Sequence, residues 1–310
     1  MGTRARIATV CQSHQSFPSV EENRRHVLSL LDLALHLEPD LVCLPETFST
    51  VAIDQVRAQE KAETVPGPTT TLAAERARAH HCYIVCPLIT QRNGRCWNTA
   101  VLIDREGNIA GLYDKVHPVT STHDYTVMEQ GVTPGAEAPV FDLDFGRVGI
   151  QICFDAGFPE TWEALARQGA QLVVWSSAYN GGFPLQAYAY LHHYWVVSSV
   201  RSERSRIIDP CGRVLAETDP IVNVIWRDIN LDYAVCHWDF NYSVADRILR
   251  AFPGRVEIRS YHDDGHFVIE PLDDTLTIAQ LRDEFGFETT AEYHQRHREA
   301  YNLLRRGQNA

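Results

Sequence analysis

The run Leu41-Val42-Cys43-Leu44, closed at once by Pro45-Glu46, constrains this chain more than any other segment. Consecutive apolar residues without alternation describe a strand buried on both faces, and such a strand needs a sheet covered on each side. Pro45 stops the run and leaves Glu46 at its carboxyl end. A helix precedes it over Val20–Leu37: Ser19 and Glu22 form a capping box, and Val27, Leu30, Leu31, Ala34 and Leu35 recur at helical spacing.

The alternation continues. Arg4–Cys11 is predicted as a strand and Thr69–His80 as a helix, and Cys82–Ile89, Trp97–Ile103 and Asn108–Lys115 as strands joined by turns at Asn93-Gly94 and Asp104–Gly107. His117–Gly135 lacks periodicity and is long for a connection, which marks a functional loop. Strands Val140–Leu143 and Arg147–Cys153, helix Glu160–Gln168, strand Leu172–Ser176, helix Pro184–His193 and strand Trp195–Val200 follow. Ile207–Leu215 turns through Pro210-Cys211-Gly212, and Val222–Leu231 is the last strong strand. This pattern implies an α/β fold with two sheets and the helices outside.

Net charge of −12, from 28 basic and 40 acidic side chains, argues against nucleic acid or an anionic membrane as partner. No stretch approaches the roughly 20 apolar residues of a membrane span, and Arg4–Cys11 follows the amino terminus with no signal-peptide segment between. The 8 cysteines are scattered through apolar runs, which suits reduced thiols in the cytoplasm. Cys82 and Cys86 cannot share a metal as strand residues, because four residues of strand span about 13 Å. We expect no metal site.

Three strands deliver a reactive side chain at their ends: Glu46 after Leu44-Pro45, Lys115 after Gly111-Leu112-Tyr113-Asp114, and Cys153 after Gly149-Ile150-Gln151-Ile152. Strand carboxyl ends are where α/β folds collect their sites. Each has a plainer reading, as a buried small hydrophobe, a helix cap or a solvated edge charge. Together they form a working set. A thiol needs a base, and Glu46 at the edge of a dry core is expected to have a raised pKa suited to that task. Attack on a carbonyl carbon builds an oxyanion, which Lys115 and the backbone N–H of Phe154 would stabilise.

Pro45-Glu46, Lys115-Val116-His117, and Cys153-Phe154-Asp155 with Phe158-Pro159-Glu160 resemble, in order and separation, the three signatures of the nitrilase superfamily of carbon–nitrogen hydrolases. Asn98 after Trp97, Gly135, Ser177-Ala178 and Ile208–Gly212 extend the resemblance over Arg4–Leu231. It implies a four-layer α-β-β-α sandwich, a Glu-Lys-Cys triad, no metal or organic cofactor, and homodimers or larger homo-oligomers packed helix face to helix face. It also implies a second glutamate, for which Glu129 in the long loop is the candidate. Cys153-Phe154-Asp155 departs from the Cys-Trp-Glu of true nitrilases and favours an amide or carbamoyl substrate over a nitrile. Tyr188-Ala189-Tyr190-Leu191-His192 departs from the helix of many relatives. Residues 232–310 lie beyond the shared core of residues 1–231; with weak patterning, no second core, and exposed helices at Ile278–Phe285 and Ala291–Arg306, they are expected to extend one domain and pack on it or on a partner subunit.

Past the strand ends, Phe48, Trp175, Tyr179, Asn180 and Phe183 are the expected substrate contacts, giving an apolar pocket, with Arg201 or Arg204 in reach of a carboxylate. The expected activity is cysteine-dependent hydrolysis of a small amide or N-carbamoyl compound through a thioester, releasing ammonia or amine. A nitrilase proper is the alternative enzyme, and a non-catalytic binding or scaffold member is the alternative of another class. A papain-like reading lacks a histidine at a matching strand end.

Overall fold

The computed structural model describes residues 3–308 apart from 122 and 274. In chain order the first 230 residues form β1 (Arg4–Val10), α1 (Val20–Leu35), β2 (Leu41–Cys43), α2 (Ala58–Lys61), α3 (Pro68–His80), β3 (Tyr83–Arg92), β4 (Arg95–Ile103), β5 (Ile109–Asp114), β6 (Val140–Leu143), β7 (Gly146–Ile152), α4 (Pro159–Arg167), β8 (Leu172–Ser177), α5 (Phe183–His192), β9 (Trp195–Val200), β10 (Arg206–Ile208), β11 (Val214–Glu217) and β12 (Val224–Asn230). Apart from α2, which the sequence reading did not anticipate, these match the expected elements to within a few residues at their ends.

The strands build two six-stranded sheets, ordered β12-β1-β2-β3-β4-β5 and β11-β10-β9-β8-β7-β6. In each, a parallel centre is flanked by antiparallel strands: β1, β2 and β3 in the first, β7, β8 and β9 in the second. Parallel strands are covered on both faces, which is why Leu41–Cys43 is fully buried. One cover is helical. Val27, Leu31, Ala34 and Leu35 of α1 and Ala73 and Ala77 of α3 pack on Ala8, Val10, Val42 and Ile84. Ser19 starts α1 as expected, its hydroxyl accepting from the Glu22 amide. On the second sheet, α4 sets Leu165 against Gly149, where a Cβ would come within 2.8 Å of the leucine methyls, and Trp162 of α4 stacks on Tyr188 of α5 at 4.3 Å.

The other cover is the second sheet itself. Small hydroxyl residues let the backbones approach: Thr9 donates to the Ser198 carbonyl (2.7 Å), Ser199 to that of Val10 (2.7 Å) and Ser176 to that of Leu44 (2.8 Å). These buried hydroxyls exchange water for a carbonyl of the facing sheet, so their burial leaves no unmet donor. The result is the four-layer α-β-β-α sandwich.

The expectation that the carboxyl-terminal segment has no second core does not hold. Ala5–Ile229 is one compact unit, and residues from Asn230 onward, with the first residues of the chain, form another. The latter contains β13 (Ala234–His237), α6 (Val244–Ala251), β14 (Val256–Tyr261), β15 (His266–Pro271), α7 (Ile278–Phe285) and α8 (Thr290–Gln308), with a sheet ordered β13-β15-β14. Ala234, Cys236, Ile248, Phe267, Ile269, Leu281 and Phe285 form its own hydrophobic cluster. Helix α7 is therefore amphipathic rather than exposed, while α8 is exposed over residues 298–307.

Candidate active site

Glu46 lies just past β2, Lys115 just past β5 and Cys153 just past β7. Because β5 is antiparallel to β4, and β4 to β3, it points the same way as β2. All three residues line one pocket of about 220 Å³, and each is buried: Glu46 4% exposed, Lys115 2% and Cys153 9%.

Lys115 is the centre of the polar cluster. Its ammonium donates to Glu46 Oε1 at 2.9 Å and to Glu129 Oε1. The side-chain amide of Asn98, on β4, bridges the same two carboxylates at 2.8 Å and 3.0 Å. Glu129 is thus brought to the cluster as expected, on a loop whose own backbone fixes it: Glu129 N donates to the Val119 carbonyl, and Val119 N donates back to Glu129 Oε1. Asn98 is a site residue that strand-end reasoning missed. Its signal is a polar side chain inside the apolar run of β4.

Cys153 opens a 3₁₀ turn, Cys153–Gly157, and takes a left-handed backbone with φ of 47°. Such a conformation costs a non-glycine residue about 1–3 kcal/mol and persists only where surroundings impose it. Trp175 Nε1 donates to the Cys153 carbonyl (3.1 Å), Trp162 Nε1 to the Asp155 carbonyl (2.9 Å), and Tyr188 OH to the Ala156 carbonyl (2.9 Å). The carboxylate of Asp155, fully buried, accepts from Ile152 N (2.9 Å), Tyr113 OH (2.6 Å) and His117 N (2.9 Å). It thereby ties the cysteine turn to both sides of Lys115. Phe154 follows Cys153 in that turn, and the first amides of a helical turn have no partner within it.

Burial pushes the Cys153 thiol up to about 12, with Glu46 adding to the rise, against Lys115, the Ser177 hydroxyl and the Ala178 backbone. For Glu46 burial acts upward too, but the charges of Lys115 and Arg201 and the bonds from Lys115 and Asn98 outweigh it and hold the carboxyl below its usual range. The expected rise for Glu46 is therefore corrected in direction. Burial acts to lower Lys115, and Glu46, Cys153 and Glu129 outweigh that effect, leaving it firmly protonated. At neutral pH the site holds a neutral thiol, an ionised Glu46 and an ammonium.

The expected aromatic pocket is also corrected. None of Phe48, Trp175, Tyr179, Asn180 and Phe183 is among the lining residues. Phe48 and Trp175 are fully buried in packing and Phe183 is 73% exposed, while Tyr179, outside that lining, still feels the charges of Cys153, Glu46 and Lys115. The wall is polar instead, with Thr47, Asp54, Gln55, Lys61, Gln130 and Arg201 beside the central cluster. Arg201 reaches the pocket, whereas Arg204 pairs with Glu217 elsewhere. Among the described residues no group of three or more His, Cys, Asp or Glu could hold a metal ion, and no helix is long and apolar enough to cross a membrane.

The family model described as carbon-nitrogen hydrolase matches residues 7–235. The chain belongs to the carbon–nitrogen hydrolase family. Among curated proteins it is similar to a deaminated glutathione amidase of Synechocystis, 28% identical over 70% of this chain and 89% of that protein. It is also similar to an omega-amidase of Xenopus laevis, 26% identical over 70% and 86%. Among solved structures, a member of branch 10 of the nitrilase superfamily from Saccharomyces cerevisiae matches with TM-score 0.64 and 20% identity, over 81% of this chain and 95% of that one. A mutant amidase from Nesterenkonia, with the acetamide moiety of fluoroacetamide added covalently to its active-site cysteine, matches with TM-score 0.60 and 22% identity, over 73% and 90%. This protein is thus an enzyme of the carbon–nitrogen hydrolase family.

Proposed function

We propose that this hydrolase cleaves the C–N bond of a small amide or N-carbamoyl compound through a thioester on Cys153. The observation that carries the reading is the meeting in one pocket of the Cys153 thiol with Glu46, itself paired with the Lys115 ammonium at 2.9 Å. Cys153 Sγ attacks the carbonyl carbon while its proton passes to Glu46. The developing oxyanion meets the Lys115 ammonium and the Phe154 amide. Glu46 hands the proton to the nitrogen, the C–N bond breaks, and ammonia or amine leaves. Water then gives a proton to Glu46 as it attacks the thioester; the C–S bond breaks and the proton returns to sulfur. Glu129, bonded to Lys115 and Asn98, orients the ammonium and the amide that hold Glu46.

The relatives named for amide substrates support an amide over a nitrile. Free, buried thiols throughout suit the cytoplasm, and Phe183 and Leu191, both exposed on α5, suit assembly into a homo-oligomer through the outer helices. The test is ammonia release from matched amide and nitrile substrates, together with intact mass during turnover. A covalent acyl adduct on the wild type that is absent from Cys153→Ala is expected. Turnover of the nitrile alone would mean a nitrilase; no adduct and no turnover would mean a non-catalytic member.

A further inference from the structure

Glu129 and Gln130, neighbours on the wall of the Cys153 pocket, run against ordinary backbone preference. Their φ angles are 38° and 60°, and Gly131 follows at 111°. Glycine takes such a backbone freely, whereas each of the other two costs about 1–3 kcal/mol and needs surroundings that impose it. The flanks of the turn are set by burial. Met128 and Val132 pack with Ala58, Ile89 and Cys96, and Gly131 N and Val132 N both donate to the Met128 carbonyl, at 2.7 Å and 2.9 Å. Packing therefore fixes where the turn begins and ends, and leaves the two strained residues to their own hydrogen bonds.

Those of Glu129 run inward, to Lys115, Asn98 and the Val119 backbone. Those of Gln130 run outward, to the segment that opens α2. Its carbonyl accepts from Ala58 N at 3.0 Å. Its side-chain amide, oriented with nitrogen toward the carbonyls around it, donates to those of Glu129 and Asp54 at 3.2 Å each. The Asp54 carbonyl also accepts from Lys61 Nζ at 2.7 Å, and the Asp54 carboxylate from Arg201 Nη1 at 2.7 Å. Arg201 lies just past β9, so Gln130 is tied to a segment that is itself tied to the second sheet.

We propose that Gln130 is a positioning residue for the reaction at Cys153. Its amide and carbonyl hold the backbone of Glu129 left-handed, and that backbone aims the Glu129 carboxylate at Lys115 and Asn98. Without the tie, φ at residue 129 returns to negative values, the Cα–Cβ bond swings, and the carboxylate leaves Lys115. The ammonium is then left to Glu46 alone, which engages the carboxylate that has to accept the thiol proton.

The inference rests on the reading of Cys153 as nucleophile, and the experiment separates the two. Gln130→Gly removes the amide but adopts the left-handed backbone freely, so its thermal midpoint should stay close to that of the wild type. Gln130→Glu keeps the length and sets an acceptor against two carbonyls. Ammonia release is followed for propionamide, glutaramate and N-carbamoyl-β-alanine, and the fastest serves as the assay. Both variants should lower kcat about tenfold or more, with a smaller change in KM. In a Glu129→Gln background the same substitutions should lower kcat less than about threefold, because Gln130 acts through Glu129. Where that background turns over too slowly, the rate of Cys153 alkylation by iodoacetamide replaces kcat. Hydrogen exchange at the Val119 and Glu129 amides, read by mass spectrometry, should quicken in both variants.

An unchanged kcat, equal losses in the two backgrounds, or a loss in Gln130→Gly that follows a lowered thermal midpoint overturns the positioning role and leaves the reaction standing. No ammonia from any of the three compounds overturns the reaction. Exchange then decides the rest: quickened exchange leaves Gln130 as the residue that holds Glu129, and unchanged exchange removes it from that role too.

Discussion

Replacing Lys115 by Met tests the electrostatic core of the site. The substitution keeps the unbranched stem, one heavy atom shorter, and removes its charge, leaving Glu46 and Glu129, with side chains 5% and 17% exposed, facing each other across the amide of Asn98. Removing one member of a buried ion pair costs about 3–5 kcal/mol, because the remaining charge is left uncompensated. The pH dependence identifies that cause. In the native protein Glu46 is held below its ordinary range, so its contribution to stability is complete above the unfolded value of about 4.3 and is lost as pH falls through the folded pKa. In Lys115→Met burial prevails and the folded pKa of Glu46 lies above the unfolded one. The sign then reverses: the deficit is largest at neutral pH and fades as pH falls toward the unfolded value. We expect a deficit of about 3–5 kcal/mol at pH 7.5, narrowed by at least about 1 kcal/mol at pH 5. Urea unfolding followed by tryptophan fluorescence measures it where it matters, since all tryptophans but Trp238 lie in Ala5–Ile229. A deficit below about 1 kcal/mol at pH 7.5, or one that does not shrink on acidification, refutes the claim that Lys115 keeps Glu46 ionised.

With its thiol pushed up to about 12, Cys153 should be alkylated by iodoacetamide at a rate still climbing beyond about pH 10; a plateau below about pH 9 in a mass-spectrometric time course contradicts the buried neutral thiol. Asp155→Ala strips the acceptor from Tyr113 OH, Ile152 N and His117 N, each unmet buried donor costing about 1–3 kcal/mol. Thermal unfolding should show a loss of at least about 3 kcal/mol and kinetics a fall in kcat; a variant as active as the wild type removes Asp155 from the positioning role. Gly135→Ala places a Cβ 2.1 Å from the Asp114 carbonyl oxygen, in a segment that also bonds the Lys115 carbonyl at 2.8 Å. Overpacking of about 1–3 kcal/mol and a displaced Lys115 should lower both stability and kcat, and an unchanged kcat argues that Lys115 tolerates the shift.

The layers and the three strand ends were legible because each is written locally. An apolar run that stops on one polar residue states both that a strand is buried and where it ends, as Leu41–Glu46 and Gly149–Cys153 do. The unit after Ile229 was not, since its core comes from partners far apart in sequence: Ile269 of β15 pairs with Ala234 and Ile258 on separate strands, and β14 alternates too weakly to show a face. The pocket lining was misread for a related reason. Position near a strand end does not fix direction, and a large aromatic there is drawn inward, because burying Phe48, or Trp175 within β8, removes roughly 150–250 Å² from water. The groups left to line an open pocket are those whose charges resist burial, such as Asp54, Lys61 and Arg201.

The direction of the Glu46 shift makes the same point about chemistry. A buried carboxylate taken by itself is predicted to hold its proton, and that inference is sound for desolvation alone. What reverses it is Lys115, 69 residues further along the chain and 2.9 Å away, together with Arg201 from the second sheet and Asn98 from the first. The thiol receives no comparable help and moves the other way. One buried pocket therefore places the proton on sulfur and the charge on oxygen, which is the arrangement from which a carboxylate can accept a proton at the moment sulfur attacks. Burial raises the energy of every charge in the pocket, and the partners brought by the fold decide which group keeps its charge.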